Sequence, residues 1–235
     1  SLIQQIRTSN RLRTGLESPA RRRLIPVSVK TRLGYDQIVV EEWIRSLLEE
    51  RPAVISLHGR TLKQMYRGNA DWEAIARAVD MSRNSETLIL GNGDLRTMGD
   101  VYRRIRESGV DGVLLGRSAQ GDPWIFRAKN QVKQALCSEK GVFIHDLVAG
   151  LEDRLRVMLE HSMHFERHWD IRCFVGMRKH LSWYCKYFHK ASELRSQLVR
   201  VNNCRDVVGC LKIYAAKFGS EGSGPPEVEE LTQQP

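Results

Sequence analysis

The sequence predicts an α/β fold, with parallel strands covered by helices, followed by an all-helical part. Three observations predict it. Short apolar runs alternate with helical patterns from Pro26 to Gly116. Those runs are apolar nearly throughout, as in parallel strands buried on both faces. After Asp122 the strand signal stops and only helical periodicity continues.

The first strand is "PVSVK", Pro26–Lys30, where β-branched residues follow a proline that starts the element. A helix follows from Gln37 to Glu50, with Ile38, Val39, Trp43, Ile44, Leu47 and Leu48 on one stripe. "AVISLH", Ala53–His58, is the second strand. The next helix covers Asp71–Met81, with Asp71 as its N-cap. "TLILG", Thr87–Gly91, is the third strand. Thr97 opens a helix that reaches Ser108, and Gly109 suits its C-cap. "GVLLG", Gly112–Gly116, is the fourth strand. "DPWIFRAKNQVKQAL" then begins a helix with proline at its first position. Further helices are expected over His145–His168, Ile171–His189 and Ala191–Phe218, the last broken around Asn202–Asn203. A domain boundary is expected near Leu136–Val142. This gives domains at 1–136 and 142–219, and a disordered acidic Gly/Pro/Ser-rich tail at 220–235.

Composition narrows the function. The 235 residues suit one large domain or two small ones, and 41% hydrophobic residues supply a core. No run approaches the ~18 apolar residues of a membrane helix. No apolar stretch follows a basic start, so no secretory signal is read. The five cysteines form no CxxC pair, which argues against a disulfide scaffold or a zinc site and for a reducing, cytoplasmic setting. The start at Ser1 rather than Met points to a missing N-terminal part. The net charge of +9 is uneven: residues 1–25 and 127–219 are basic, 26–126 balanced, and the tail acidic. A neutral core flanked by basic segments suits a polyanionic partner; an Arg-rich solvated surface is the alternative.

The four strands all end in polar groups. Lys30 ends the first, with Arg32 and Gly34 following; His58-Gly59-Arg60-Thr61 ends the second; Gly91-Asn92-Gly93-Asp94 the third; Gly116-Arg117 the fourth. In a parallel sheet these ends form one rim, and in barrels the C-terminal rim carries the chemistry. Burying Lys30 or His58 there without a partner would be costly. The "GNGD" and "GR" loops are separated by one helix-plus-strand unit, which makes them neighbours. Glycines let backbone N–H groups approach an anion, and Arg117 can grip a phosphate with two hydrogen bonds. Two ordinary glycine turns are the other reading.

"PVSVKTRLGYD", "ISLHGRT…YRGNADW", "ILGNGDL" and "GVLLGRSAQGDPWIF", in this order, resemble the second half of the tRNA-dihydrouridine synthase family. "MRKHLSWYCKYFHKASELRSQLVRVNN" resembles the helical C-terminal domain of the family's bacterial B-type branch. The resemblance covers residues 24–218. It implies an oxidoreductase that reduces the C5–C6 double bond of uridines in tRNA. It further implies FMN at the mouth of a (β/α)₈ TIM barrel, NADPH as reductant, and tRNA docked against the helical domain. Carried over by position, Lys30 and His58 would contact the flavin ring and the flipped uracil. Asn92, Gly93, Asp94, Gly116 and Arg117 would hold the ribityl chain and phosphate, and Arg60 would help with substrate. A cation near the flavin carbonyl stabilises the reduced ring, and a target base must leave its stack.

The sequence also departs from the family. The family's first four strands are absent, and with them the N-terminal flavin loop, a flavin-contacting Gln and the catalytic Cys. No catalytic residue is therefore expected in this chain. Cys173 and Cys185 fall on predicted helices and read as buried structural residues. The chain reads as a partial barrel, strands five to eight, plus the helical domain. Two sheet edges stay open, so a fragment or a need for the missing N-terminal half is expected. Residues 1–25 read as the helix before strand five, carrying the basic insertion "RTGLESPARRR".

Other features carry less. His161, His164 and His168 share a helix face but lack companion ligands, so no metal is expected. Arg178, Lys179 and His180 precede Trp183, Tyr184, Tyr187 and Phe188. Basic residues beside aromatics suit RNA contact, with the cations on phosphate and at least half of the rings in the core. The alternatives are a non-catalytic tRNA- or RNA-binding chain derived from the enzyme, and a barrel oxidoreductase for a small phosphorylated substrate. The basic helical domain argues against the latter. The isolated chain is expected to be inactive.

Overall fold

The computed structural model describes residues 25–138, 144, 148–169 and 171–218. The expectations for the basic N-terminal stretch, the start of the helix at His145 and the acidic tail lie outside these residues. The chain divides into two compact units that interleave in sequence. One is Ser1–Gly116 with Ala128–Asp146; the other is Arg117–Arg127 with Leu147–Pro235.

The first unit holds β1 (Ser28–Arg32), α1 (Val40–Glu49), β2 (Val54–His58), α2 (Trp72–Ser82), β3 (Leu88–Asn92), α3 (Met98–Ser108), β4 (Gly112–Leu114) and α4 (Lys129–Cys137). The strands form one sheet in the order β1-β2-β3-β4, every pair parallel. Ile55, Leu57 and Ile89 point to one face and are fully buried there. They pack with Val40, Ile44, Ile75, Ala78 and Val101 from the covering helices, which makes this the unit's core. The opposite face carries Lys30, Arg32, Ser56, His58, Leu90 and Asn92, because strand side chains alternate.

Local chemistry sets the element ends. Asp71 caps α2, its carboxylate accepting from the Ala74 N–H at 2.8 Å. Thr97 and Asp100 form a reciprocal capping box on α3, and Gly109 closes that helix in the left-handed conformation. Thr97→Ala should cost about 1 kcal/mol, read as a lower midpoint in urea at unchanged slope. Helix α1 starts at Val40, later than its apolar stripe suggests, because the Val39 N–H turns back to the Leu33 carbonyl at 2.9 Å. Strand β1 runs on to Arg32 because it pairs residue by residue with all of β2. Strand β4 stops at Leu114, where the Asn92 side-chain amide takes the Leu114 carbonyl at 2.7 Å. The helix expected at Pro123 begins as a 3₁₀ turn over Pro123–Ala128 and becomes α-helical only at Lys129.

Among the described residues the second unit is helical: α5 (Leu151–His168), a 3₁₀ segment Ile171–Gly176, α6 (Met177–Tyr184), α7 (Ala191–Leu198) and α8 (Cys204–Phe218). Its core joins Trp124 to Leu155, Met158, Phe174, Leu181, Leu198 and Val207. The single helix expected over Ile171–His189 is instead a 3₁₀ turn and a short α-helix. Tyr187 and Lys190 adopt positive φ and break the pattern before α7. The break at Asn202–Asn203 is a helix start: Asn203 accepts from the Asp206 N–H, and Asp206 accepts from the Asn202 N–H, both at 2.8 Å. Cys185 is buried, and burial raises its thiol to about 12. Cys173 is exposed, against expectation, because the 3₁₀ segment turns it outward. No described helix is long and apolar enough to cross a membrane.

Candidate functional site

The open face of the sheet ends in two rows of side chains. Lys30 sits opposite Ser56, and Arg32 opposite His58, which sits opposite Asn92. Lys30 is exposed, and His58 keeps 8% of its surface. Arg60, two residues beyond β2, is the hub of the loops above them. Its guanidinium donates to Asp94 and to the Gly68 carbonyl, both at 2.6 Å, and to the Arg67 carbonyl at 3.3 Å. Its Nη1 faces His58 Nε2 at 3.5 Å. Guanidinium can only donate, so a hydrogen bond here requires the tautomer that carries its proton on Nδ1 and presents the Nε2 lone pair.

The His58 environment agrees. Burial, then Arg32, Lys30 and Arg60, push its pKa down to about 4, against a weaker upward pull from Asp94. At neutral pH the ring is uncharged, a hydrogen-bonding group among cations.

The third strand's loop is shaped by close approach. Gly93 has φ +133, and a Cβ there would lie 2.5 Å from Ala70 Cβ and 3.3 Å from His58 Cδ2. Glycine alone fits both the backbone and the space. The Trp72 indole N–H holds the Gly93 carbonyl at 3.1 Å. Asp94, at φ +52, accepts from Arg60 and from the Ala70 N–H at 2.8 Å. A Cβ on Gly116 would meet nothing within 4 Å, so that backbone stands open.

The structure thus brings together His58, Arg60, Gly93 and Asp94, and sets Lys30 and Asn92 on the same face of the sheet. Arg60, expected to serve substrate, is 2% exposed and donates to the loop at Asp94, Gly68 and Arg67. Arg32 stands in the strand itself, beside His58; the period-two alternation from Lys30 was the signal for it. Arg117 opens the 3₁₀ turn Arg117–Ala119 and belongs to the second unit. In that unit Arg178 donates to the Val201 carbonyl at 2.9 Å and to Asn202 at 2.8 Å, fastening α6 to the turn before α8. Lys179 is exposed and His180 half-buried, with its ring 4.9 Å from Trp183. His161 turns to the Tyr184 hydroxyl at 3.2 Å, while His168 bonds the His164 carbonyl. Tyr184 is in the core and Tyr187 is 75% exposed.

A parallel βα sheet with a polar rim at its strand ends and a glycine-shaped loop defines the first unit as α/β, a class of fold whose ligand sites lie at the C-terminal ends of the strands. The dihydrouridine synthase family model matches residues 6–217, and the chain belongs to that family. Among curated relatives it is 30% identical to a probable tRNA-dihydrouridine synthase of Aquifex aeolicus, over 78% of this chain and 54% of that protein. It is 33% identical to the probable tRNA-dihydrouridine synthase of Mycobacterium tuberculosis, over 80% of this chain and 46% of that protein. It is 29% identical to tRNA-dihydrouridine synthase B of Pseudomonas aeruginosa, over 85% and 58%. The chain spans about half the length of the curated relatives it matches.

Proposed function

We propose that this chain is the C-terminal part of an FMN-dependent tRNA-dihydrouridine synthase of the cytoplasm, which reduces uridine in tRNA to 5,6-dihydrouridine with NADPH. In this reading residues 1–136 form the C-terminal half of a TIM barrel and 142–219 the helical tRNA-binding domain. The observation that carries it is the His58–Arg60–Gly93–Asp94 cluster at the strand ends of a family member.

The residues present fit a flavin phosphate and ring. Gly93 is a cradle that a Cβ would fill, and the Gly116 backbone is open to an anion. Lys30 supplies a cation; neutral His58 supplies a hydrogen bond. Asn92 and Asp94 act through the loop they brace, since the Asn92 amide already takes the Leu114 carbonyl and Asp94 already holds Arg60. When bound, reduced FMN supplies the two electrons for the uracil double bond. Lys30 places positive charge beside the ring, which favours its anionic reduced form. His58 orients ring or base without adding charge. Arg178, Lys179 and His180 belong to the tRNA-facing surface in this reading, with Lys179 the most exposed of the three.

The proton donor for the uracil carbon lies elsewhere. The described cysteines sit at Cys137, Cys173, Cys185, Cys204 and Cys210, on helices or beside them. Catalysis in this reading needs the other half of the barrel. A cavity of about 440 Å³ beside β1, the edge strand among the described residues, is lined by Tyr35, Val39, Trp43 and Leu62 and is where a packing partner would sit in this reading. The cysteine placement also favours the second reading, a non-catalytic tRNA-binding chain.

Flavin fluorescence titration of the purified chain tests the proposal. Saturable FMN binding that Lys30→Met weakens is expected, without dihydrouridine formation in tRNA. Absence of flavin binding with salt-sensitive tRNA binding would decide for the second reading.

A further inference from the structure

The loops that follow β2 and β3 close on the residues that open α2. Three consecutive residues make the contacts. The Ala70 N–H donates to the Asp94 carboxylate at 2.8 Å, the Asp71 N–H to the Gly59 carbonyl at 2.7 Å, and the Trp72 indole N–H to the Gly93 carbonyl at 3.1 Å. Trp72 is the first residue of α2 and is 6% exposed. Its ring lies on the backbone of Gly91, where a Cβ would come within 2.5 Å of Trp72 Cζ3. Glycine in β3 thus makes room for the indole, which reaches past it to Gly93.

The bond to Gly93 fixes more than one atom. The peptide unit between Gly93 and Asp94 is planar, and a trans unit points its N–H opposite to its carbonyl. Holding the carbonyl on the indole therefore sets the direction of the whole unit. Asp94 sits at φ +52 in this arrangement, in the left-handed region that non-glycine residues seldom adopt. Turning the unit over would carry Asp94 to an extended φ, which costs L-residues nothing. The observed direction is the locally disfavoured one, and tertiary contacts hold it: the indole on Gly93, with Arg60 and Ala70 on the Asp94 carboxylate. Turned over, the unit would set an acceptor where the Asp94 N–H now points. The unit borders His58, since a Cβ on Gly93 would lie 3.3 Å from His58 Cδ2.

We propose that Trp72 is a positioning residue for the flavin site. Its indole N–H keeps the Gly93–Asp94 peptide turned the way the cofactor meets it, and with it the Asp94 carboxylate that Arg60 grips beside His58. This rests on the flavin reading above. It gives the buried start of α2 a part in cofactor affinity.

Two tryptophan analogues placed at position 72 of the full chain separate the bond from the bulk. Benzothienylalanine keeps the shape of the side chain and lacks the N–H; fluorotryptophan keeps both. With benzothienylalanine the chain should retain its wild-type circular dichroism and show a larger Asp94 amide-to-α-proton coupling, as φ leaves the left-handed region. It should bind FMN roughly five- to tenfold more weakly. Trp72→Phe, which also lacks the N–H, should give the same two changes. Fluorotryptophan should match the wild type in both. An Asp94 coupling that stays at its wild-type value, or a shifted coupling with unchanged FMN affinity, would overturn the proposal and leave the flavin reading standing. An equal loss of FMN affinity with both analogues would do the same, because the side chain would then act through bulk alone. A wild-type chain that takes up no flavin would sink the flavin reading and this proposal with it.

Discussion

Arg60→Met should destabilise the first unit by about 2–4 kcal/mol, more than any exposed ion-pair deletion in the chain. The substitution keeps the volume of the stem and removes the charge. It removes the guanidinium from the Asp94 carboxylate, and strips the Gly68 and Arg67 carbonyls of their donor. The cost stays below that of a fully enclosed pair because Asp94 keeps 28% of its side-chain surface. Asp94→Asn should cost less, since an amide oxygen still accepts from Ala70 and asparagine tolerates the positive φ. The double variant should lose less than the sum of the two, because the stranded carboxylate disappears with its partner. Urea unfolding of the four proteins measures all three quantities. Strict additivity would mean that Arg60 acts through its backbone contacts and not through Asp94.

The alternation of apolar runs and helical stripes makes the parallel sheet legible in the sequence alone. Apolar strands such as Ile55–Leu57 have no other soluble home than between layers. What the pattern could not reveal was where each element ends. The end of β1 depends on β2, its pairing partner, and the end of β4 on the Asn92 amide. The Ile171–His189 stretch read as one helix because its apolar spacing is helical. Positive φ at Tyr187 and Lys190 is a tertiary outcome that those residue types do not announce. The same holds for Cys173, whose exposure follows from the 3₁₀ segment.

The residues of the candidate site were nameable from the strand ends, but their division of labour was not. Sequence places Arg60 and Asp94 on the rim as two polar residues among several. Only the fold makes them partners, joining the loops that follow β2 and β3. Arg154, buried on α5, was invisible because it lies in an ordinary amphipathic helix pattern. Its burial comes from Gly121 and Trp124, thirty residues upstream, folding against it.

Acidification should unfold the first unit through His58. In the unfolded chain the ring titrates near 6.5, while in the fold it resists protonation down to about 4. The native state therefore holds fewer protons in that interval. The stability that neutral His58 supports is fully present above pH 6.5. It falls as the pH drops toward 4, by at most about 3 kcal/mol. The cause is geometric: a protonated ring would sit beside Arg32, Lys30 and Arg60, with Asp94 alone to offset them and already committed to Arg60. His58→Gln removes the titration and keeps a hydrogen-bonding side chain. Its stability should change less than that of the wild type between pH 7 and 4. His161 and His180, whose pKa values are also lowered by burial, remain in both proteins and cancel in the difference. Parallel stability curves would show that the ring takes up its proton at the same pH folded and unfolded, and that burial and the neighbouring cations do not hold it neutral.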